Sequence, residues 1–559
     1  MSRRWQGVPA PKQPGTGRAG GIFSRAARPR KAPGQKGPAA FPSPGRADWA
    51  AAVLVGLAAL VCFQHPDIWE TCNHSRVLLD SLFEGRFLEF YELVAAHEAP
   101  LYYVNGANYN IAVYLLFAAW QLPVWLVCRL AGLAANEYFL IFWSKGLCAA
   151  GLAACCWLLA KLAKGLGLSQ PECRWAALGL LLWPASFFSV LVMGQYDVFC
   201  LAATLAALLC YQQGRLRAFT GWMGAAACFK FFPLLVFLPL LLLAEKRPKK
   251  LLLYGLGSLW LLAPTTLLFW GRTDKALSFT VEMAQRLFAQ TLPGGMRDLP
   301  VFALVYALAL VLCWFWRPDA RRLRGTLAVY VCLAVYSLML LCIRWHPQWV
   351  ALLGPFWLLC MLLQKERLAF LALDWVFSAG YFLLVFFEFP CQMDANLFDY
   401  GLITALTGRL ASQNLGRTTA SVLLEKIPFC VQLAPALFAV PLLAALVLHF
   451  PLKSGSLAAR LARAAGGGGA EGLEAAGGEG PNGIAAGAVK DEAGEGENAP
   501  AIAGANDTAG EDPAFGAGGG ENAPAIAPVS LQVWVFASFA VGVLLCWFLP
   551  SLWVWVQCF

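Results

Sequence analysis

The feature that most constrains this chain is a series of long apolar runs separated by polar segments. A helix needs about 20 apolar residues to cross roughly 30 Å of hydrocarbon, and runs near that length recur along the sequence. Apolar residues form 59% of the chain and charged residues only 13%, a balance typical of membrane proteins. The sequence therefore predicts an all-α polytopic membrane protein with about thirteen transmembrane helices, at residues 48–63, 110–131, 138–160, 175–193, 196–212, 218–243, 251–270, 300–316, 326–343, 349–363, 368–389, 429–449 and 531–556.

Two long segments outside the apolar runs have the composition of disordered chain. Residues 1–46 carry ten Lys or Arg and no acid, whereas residues 466–530 carry eleven acids and one basic residue, Lys490. Neither segment has enough large apolar side chains to fold alone. We therefore predict four parts: a basic, disordered cytoplasmic tail at 1–47, a transmembrane domain at 48–450, a disordered cytoplasmic linker rich in Gly, Ala and Glu at 451–530, and a C-terminal transmembrane helix at 531–559.

The basic residues of the short loops predict the orientation, because Lys and Arg accumulate on the cytoplasmic side. If the spans alternate, the basic clusters at 1–46, 246–250, 317–324, 365–367 and 453–463 all become cytoplasmic. The same alternation places Lys161 with Lys164, and Arg215 with Arg217, outside, which the rule disfavours. A re-entrant pair of short helices within 218–243 would change this part of the topology.

The predicted outer face receives the long polar segments 64–109, 271–299 and 390–428 and the short turn at His346. Within residues 276–288, helical spacing places Leu277, Val281, Ala284 and Phe288 on one apolar face, which predicts an amphipathic helix lying in the membrane interface. Such a helix either walls a groove for lipid or acts as a surface anchor. A catalytic surface is most readily assembled on this face.

The first outer segment carries most of the candidate chemistry. Pro66 suits the first position of a helix, and steps of three and four residues then align Asp67, Glu70 and His74 on one helical face. A carboxylate there can accept a proton from a substrate hydroxyl, which makes Asp67 and Glu70 candidate catalytic residues. The alternative is that both acids only complement the helix N-terminus. Tyr103 and Asn108 follow at the next membrane boundary, where an aromatic belt explains such residues equally well.

Two polar groups interrupt the central apolar runs. Gly194-Gln195-Tyr196-Asp197 contributes an amide and a carboxylate, and Lys230 lies shortly before Pro233 in an apolar stretch. An unpaired lysine in such a stretch costs several kcal/mol. Either Asp197 and Lys230 pair with each other as structural glue, or Lys230 binds an anionic lipid phosphate.

A third polar group, residues 344–349, follows the span predicted at 326–343. Arg344, His346 and Gln348 are candidate functional residues, because ionisable groups at a membrane boundary are expensive unless they contact a substrate, an ion or water. The alternative is that His346 is a polar anchor at a helix end.

In their order along residues 48–450, these motifs resemble the glycosyltransferase C superfamily. The motifs are the acidic first outer loop, Gly-Gln-Tyr-Asp at 194–197, Lys-Phe-Phe-Pro with its Leu-rich run at 230–243, and His-Pro-Gln at 346–348. The likeness is greatest to bacterial membrane mannosyltransferase-like proteins related to GPI mannosyltransferases and polyprenol-phosphate-mannose-dependent mannosyltransferases. Two features depart from that pattern: the first loop has no adjacent pair of acids, and Asn108-Tyr109-Asn110 stands where related chains often have Tyr-Pro-Pro.

The resemblance implies a helical bundle whose outer loops carry interfacial helices, in a multi-pass protein of the bacterial plasma membrane. It implies an inverting hexosyltransferase that moves a sugar from a polyprenyl-phosphate donor to a lipid-linked or cell-envelope acceptor. In this chain Asp67 matches the general base, with Glu70 as the second candidate, and His346 matches the histidine near the donor phosphate. The other candidates to bind the donor phosphate or lipid are Arg344, Lys230 and Gln348. The supporting residues are His74, Gln195, Asp197, Tyr103 and Asn108.

The sequence predicts neither a metal nor a cofactor, because it has no tight cluster of metal ligands, no Walker motif and no dinucleotide glycine fingerprint. The expected partners are the lipid-linked sugar donor, a lipid or glycan acceptor and the bilayer, with no nucleic acid. Two other classes remain open: a transporter or lipid flippase, for which Asp197 and Lys230 would line a substrate path, and a noncatalytic scaffold.

Overall fold

The computed structural model describes residues 43–96, 106–272, 281–294, 297–316, 321–363, 367–390, 393–410 and 418–450. The predicted linker and last span at 451–559, and residues 1–42 of the basic tail, lie outside the described residues. Helices dominate the described part, and its β structure is one antiparallel pair, β1 (Thr291–Leu292) with β2 (Leu299–Pro300). The all-α class is therefore confirmed.

The first half of the described fold consists of helices, most of which follow one another after short turns. Their starts follow capping chemistry: Oδ1 of Asn110 accepts a hydrogen bond from the Ala112 amide at 3.0 Å, and Oδ1 of Asn136 accepts one from the Phe139 amide at 3.1 Å. The helices are α1 (Arg46–Cys62), α2 (Pro66–Phe83), α3 (Phe90–Ala96), α4 (Ile111–Ala131), α5 (Glu137–Gly165), α6 (Gln170–Leu182), α7 (Pro184–Ser186, continued by a π-helix at Phe187–Val192), α8 (Asp197–Gln212), α9 (Leu216–Phe229), α10 (Pro233–Ala244), α11 (Pro248–Gly257) and α12 (Leu262–Leu268).

The second half has the same character, with a helical stretch at 281–286 before the β pair. Proline again stands at the first position of a helix at Pro347, where its missing N–H costs nothing. The helices are α13 (Val301–Phe315), α14 (Arg321–Cys342), α15 (Pro347–Val350), α16 (Gly354–Leu363), α17 (Arg367–Glu388), α18 (Ala395–Asp399), α19 (Leu402–Thr407), α20 (Thr419–Lys426) and α21 (Cys430–Leu448).

Fewer helices than expected are long and apolar enough to cross a membrane. Five pass by themselves: Ile111–Ala131, Glu137–Gly165, Gly325–Cys342, Phe370–Glu388 and Cys430–Leu448. Three bent pairs, α1 with α2, α6 with α7, and α11 with α12, pass only as pairs, which gives five to eight candidate spans among the described residues. The count of thirteen spans is therefore not confirmed: the last predicted span lies outside the described residues, and four apolar stretches form helices of only 10–17 residues.

The segment predicted as one span at 218–243 is instead a helical hairpin. Asp197 begins the preceding helix α8 and Lys230 follows the end of α9, so both residues lie at the same end of the antiparallel pair formed by α8 and α9. Arg215, in the turn between them, lies about 24 Å away along α8. The phenol of Tyr211 donates to the Leu240 carbonyl at 3.1 Å, so α10 returns to the end that holds Arg215.

The hairpin corrects the expected position of four basic residues. Nε2 of Gln212 donates to the Leu162 carbonyl at 3.3 Å, which places the end of α5 beside the end of α8. The ammonium of Lys246 donates to the Cys313 carbonyl at 2.8 Å in the same region. Lys161, Lys164, Arg215 and Arg217 thus lie at the end of the bundle that holds Lys246, remote from Asp197 and Lys230.

A buried lysine joins the end of α1 to α5. Lys145 is fully buried, and its ammonium donates to the carbonyls of Ala59 and Leu60 at 3.2 Å and to that of Phe63. These carbonyls belong to the last turn of α1 and to its C-cap residue Phe63, where the helix leaves carbonyls without donors of its own. Lys145 therefore ends α1 and sets the direction in which the chain enters α2. The sequence analysis did not single this residue out.

We expect Lys145→Met to lower the free energy of unfolding by on the order of 3 kcal/mol, because it leaves three buried carbonyls without a donor. Lys164→Met, an exposed lysine of the same helix, is the matched control and should change stability little. Unfolding in detergent micelles, followed by circular dichroism, measures both. Equal effects of the two substitutions would contradict this role.

Candidate active site

Residues from the separate sequence motifs line one cavity of about 230 Å³. Pockets for drug-sized molecules span about 300–1,000 Å³, so this cavity suits one polar group of a ligand rather than a whole lipid. Of the residues singled out by the sequence, the lining includes Asp67, Glu70, His74, Asn108, Lys230, His346 and Gln348.

The start of α2 presents its acids to the cavity. Nδ1 of His65, the N-cap residue, accepts a hydrogen bond from the Asp67 amide at 3.2 Å, and Pro66 holds the first helical position. The helical period then turns Asp67, Glu70 and His74 to the same side. All three line the cavity, as their spacing predicts.

Gln195 holds the carboxylate of Asp67. Nε2 of this buried glutamine donates to Oδ2 of Asp67 at 2.8 Å. The side chain of Asp67 is nevertheless 44% exposed, so a substrate can reach it. Gln195 does not line the cavity itself, and its hydrogen bond fixes the position of the Asp67 carboxylate.

Glu70 differs from Asp67 in its protonation. The helix α2 is too polar to cross a membrane by itself, and Glu70 faces the cavity from it. Burial, and next the negative charge of Asp67, raise the pKa of Glu70 to about 8. Glu70 is therefore mainly protonated at pH 7, where it can donate a hydrogen bond and is a poor base.

Lys230 supplies the positive charge of the cavity. Its ammonium lies 3.7 Å from Oδ1 of Asp197, and both side chains are buried. The same ammonium lies 4.7 Å from the centre of the Tyr109 ring and 5.3 Å from that of Tyr196, within the range of cation–π attraction. Lys230 pairs with Asp197, as one sequence hypothesis predicts. Unlike Asp197, it also lines the cavity, so its ammonium is placed where the other hypothesis, binding of a phosphate, requires it.

His346 lies outside the helices, at the N-cap of α15. Its ring centre is 5.0 Å from that of Trp349 and 5.5 Å from that of Phe389. Burial, and next the positive charge of Lys230, lower the pKa of His346 to about 4, so the imidazole is neutral at pH 7. The following carbonyl, of Pro347, accepts from the Tyr381 hydroxyl at 3.2 Å, which anchors this turn.

Other sequence candidates lie elsewhere. Arg344 is exposed, outside the cavity lining, and its guanidinium pairs with Glu388 at 2.6 Å. Tyr103 lies outside the described residues.

The amphipathic helix predicted at 276–288 is described only from residue 281 onward. In that part Met283 and Leu287 are buried, whereas Val281 and Phe288, from the predicted apolar face, are exposed. Met283 and Leu287 are therefore the side chains of this segment that pack against the rest of the protein.

The sequence analysis missed several lining residues, among them His65, Trp349 and Asn396. Nε2 of His65 and Nε1 of Trp349 are buried and have no hydrogen-bond partner among the described residues. Buried polar atoms are normally paired, so a polar ligand would satisfy them. The position of His65 before Pro66 was a usable signal, whereas nothing in the sequence around Asn396 indicated it.

A scan against protein-family models, a search of curated proteins and a search of solved structures found no match to this chain. Within the described residues, no group of three or more His, Cys, Asp or Glu is arranged to hold a metal ion.

The turn that carries Gln195 depends on Gly194, whose φ is +77°. A Cβ here would lie 2.8 Å from Cγ of Lys145, which its own hydrogen bonds hold in place. We expect Gly194→Ala to lower the free energy of unfolding by about 1–3 kcal/mol more than Gly214→Ala. Gly214 has φ +75° and open space around it, so it reports the backbone strain alone, about 1–2 kcal/mol.

Chemical denaturation in detergent compares the two variants. Similar losses of stability would mean that Lys145 and its neighbours move aside, and that the turn is less rigid than its contacts indicate.

Proposed function

We propose that the chain is an integral-membrane glycosyltransferase, of mannosyltransferase-like type, which transfers a sugar from a polyprenyl-phosphate donor to a lipid-linked or cell-envelope acceptor. The observation that carries this proposal is that Asp67, Lys230 and His346 line one cavity. It combines a reachable carboxylate, a buried cation and a neutral imidazole within a bundle of apolar helices.

The proposed reaction needs few groups. The acceptor hydroxyl oxygen attacks the anomeric carbon and forms the new C–O bond, while the bond from that carbon to the phosphate oxygen breaks. The electron pair of the broken bond leaves on the polyprenyl phosphate, and the hydroxyl proton passes to the carboxylate of Asp67. Lys230 and the N–H of His346 stabilise the charge on the departing phosphate.

The distribution of charge across the cavity supports this division of roles. Asp67 and Glu70 lie on α2, whereas Lys230 and His346 come from other elements. Glu70 holds its proton at pH 7 and is a poor base there, which favours Asp67 as the base. A protonated Glu70 can donate a hydrogen bond to a substrate oxygen.

The positions of the basic residues support an outward-facing site. Lys161, Arg215 and Lys246 gather at the end of the bundle remote from Lys230. If that end is cytoplasmic, as the positive-inside rule indicates, the cavity lies towards the outer face of the cell membrane, which in the proposal is the bacterial plasma membrane.

The first test of the proposal is Asp67→Asn. Purified protein is incubated with labelled polyprenyl-phosphate sugars and membrane acceptors, and product is counted. We expect the substitution to lower sugar transfer by about 10²–10⁴-fold, the contribution of a general base, while donor binding is kept. Asp298→Asn, at an exposed acid outside the cavity, is the matched control.

Two results would oppose the proposal. Wild-type turnover in Asp67→Asn would remove the base assignment. Movement of intact donor across vesicles without cleavage of the sugar–phosphate bond would indicate a transporter or flippase instead.

Glu70 gives a pH test of the same site. Since the pKa of Glu70 is raised to about 8, the neutral form predominates below pH 8 and is lost as the pH rises through that value. If the neutral form donates a hydrogen bond, wild-type turnover should fall above about pH 8, and Glu70→Gln should remove this fall because glutamine stays neutral. Turnover that instead rises through pH 8, together with an inactive Glu70→Gln, would make Glu70 the base.

A further inference from the structure

A second cavity, of about 460 Å³, adjoins the candidate active site. Asn396 lines both cavities, which makes them neighbours. Along α2, Trp69 lines the second cavity, whereas Asp67 and Glu70 line the first. Successive residues of a helix point about 100° apart, so α2 forms a wall between the two spaces.

The lining of the second cavity suits a ligand rich in hydroxyl groups. Trp69, Tyr138 and Tyr400 contribute aromatic rings, and Glu137 and Asp399 contribute carboxylates. Aromatic faces pack against the C–H faces of sugar rings, and carboxylates accept hydrogen bonds from hydroxyls. The described residues that line this cavity include no Lys, Arg or His, which disfavours a phosphate or another anion.

The walls of the second cavity are held in place by contacts with the turn that ends α1. The phenol of Tyr138 donates to the Val61 carbonyl at 2.6 Å, and the backbone N–H of Gln64 donates to the Leu397 carbonyl at 3.1 Å. A Cβ at Gly401 would lie 2.2 Å from the Cys62 carbonyl oxygen, so the backbone before α19 packs directly on this turn. The aromatic and acidic groups are therefore presented by a fixed scaffold.

We infer that this second cavity binds the carbohydrate part of the acceptor and leads its hydroxyl past Asn396 to Asp67. This inference rests on the proposed transferase function. The first cavity is too small for an acceptor glycan, whereas the second has twice its volume. Its lining combines aromatic rings with carboxylates and uncharged side chains. The sugar-binding residues in this assignment are Trp69 and Asp399, with Asn396 at the junction.

Direct binding tests the inference without need of turnover. The full chain, in detergent or nanodiscs, is titrated with short soluble oligosaccharides of mannose, glucose, galactose and N-acetylglucosamine, and binding is followed by saturation-transfer NMR. We expect one of these probes to bind, and Trp69→Ala and Asp399→Asn to weaken its binding by about tenfold or more. Trp157→Ala and Asp298→Asn, a matched tryptophan and a matched aspartate outside this cavity, should leave it unchanged.

The outcome separates this inference from the proposed function. Oligosaccharide binding that depends on Trp69 and Asp399 supports the inference even if no donor is ever cleaved. If sugar transfer is found but binding and the acceptor KM are unchanged in both variants, the transferase stands and the second cavity is not its acceptor site. Failure of every oligosaccharide to bind overturns the inference as well.

Discussion

A positive charge buried in an apolar helical bundle must meet compensating groups, and two lysines that do so organise this structure. Lys145 donates to the last carbonyls of α1 and thereby sets where that helix ends. Lys230 lies beside Asp197 and two tyrosine rings, where the hairpin of α9 and α10 turns. Lys230 itself lines the cavity, and the turn that Lys145 holds at Phe63 leads directly to His65 and Asp67 in the cavity wall, so the contacts that compensate the buried charges also position the candidate active site.

The cavity is electrically asymmetric, and its chemistry follows from that asymmetry. Carboxyl groups lie on α2, a cation lies at Lys230, and the imidazole of His346 is neutral because burial and Lys230 disfavour its charged form. A sugar phosphate placed across such a site would have its leaving group beside the cation and its anomeric carbon beside the carboxylates. In the proposed function the glycan of the acceptor would occupy the adjoining cavity at Trp69, because the lining of that cavity offers aromatic rings and carboxylates.

Much of the candidate site could be predicted because its residues violate the apolar pattern around them. The helical period placed Asp67, Glu70 and His74 together, and the cost of ionisable groups in apolar runs indicated Lys230 and His346. The number of spans is less well predicted, since the length of an apolar run does not reveal how far its helix extends or where it bends; five to eight candidate spans lie among the described residues. Nothing in the sequence indicated that Arg344 would pair with Glu388, which is distant along the chain.

The sequence by itself determined the helical class, the apolar bundle and the polar interruptions that carry the chemistry, because these depend on composition and on spacing along one helix. Only the tertiary structure decided which of these polar segments lie together in space. Gln195 reaches Asp67 across 128 residues, and Asn396 lines both cavities from a segment with no motif. Such meetings depend on how helices turn and pack, and that packing is a property of many side chains at once rather than of any local pattern.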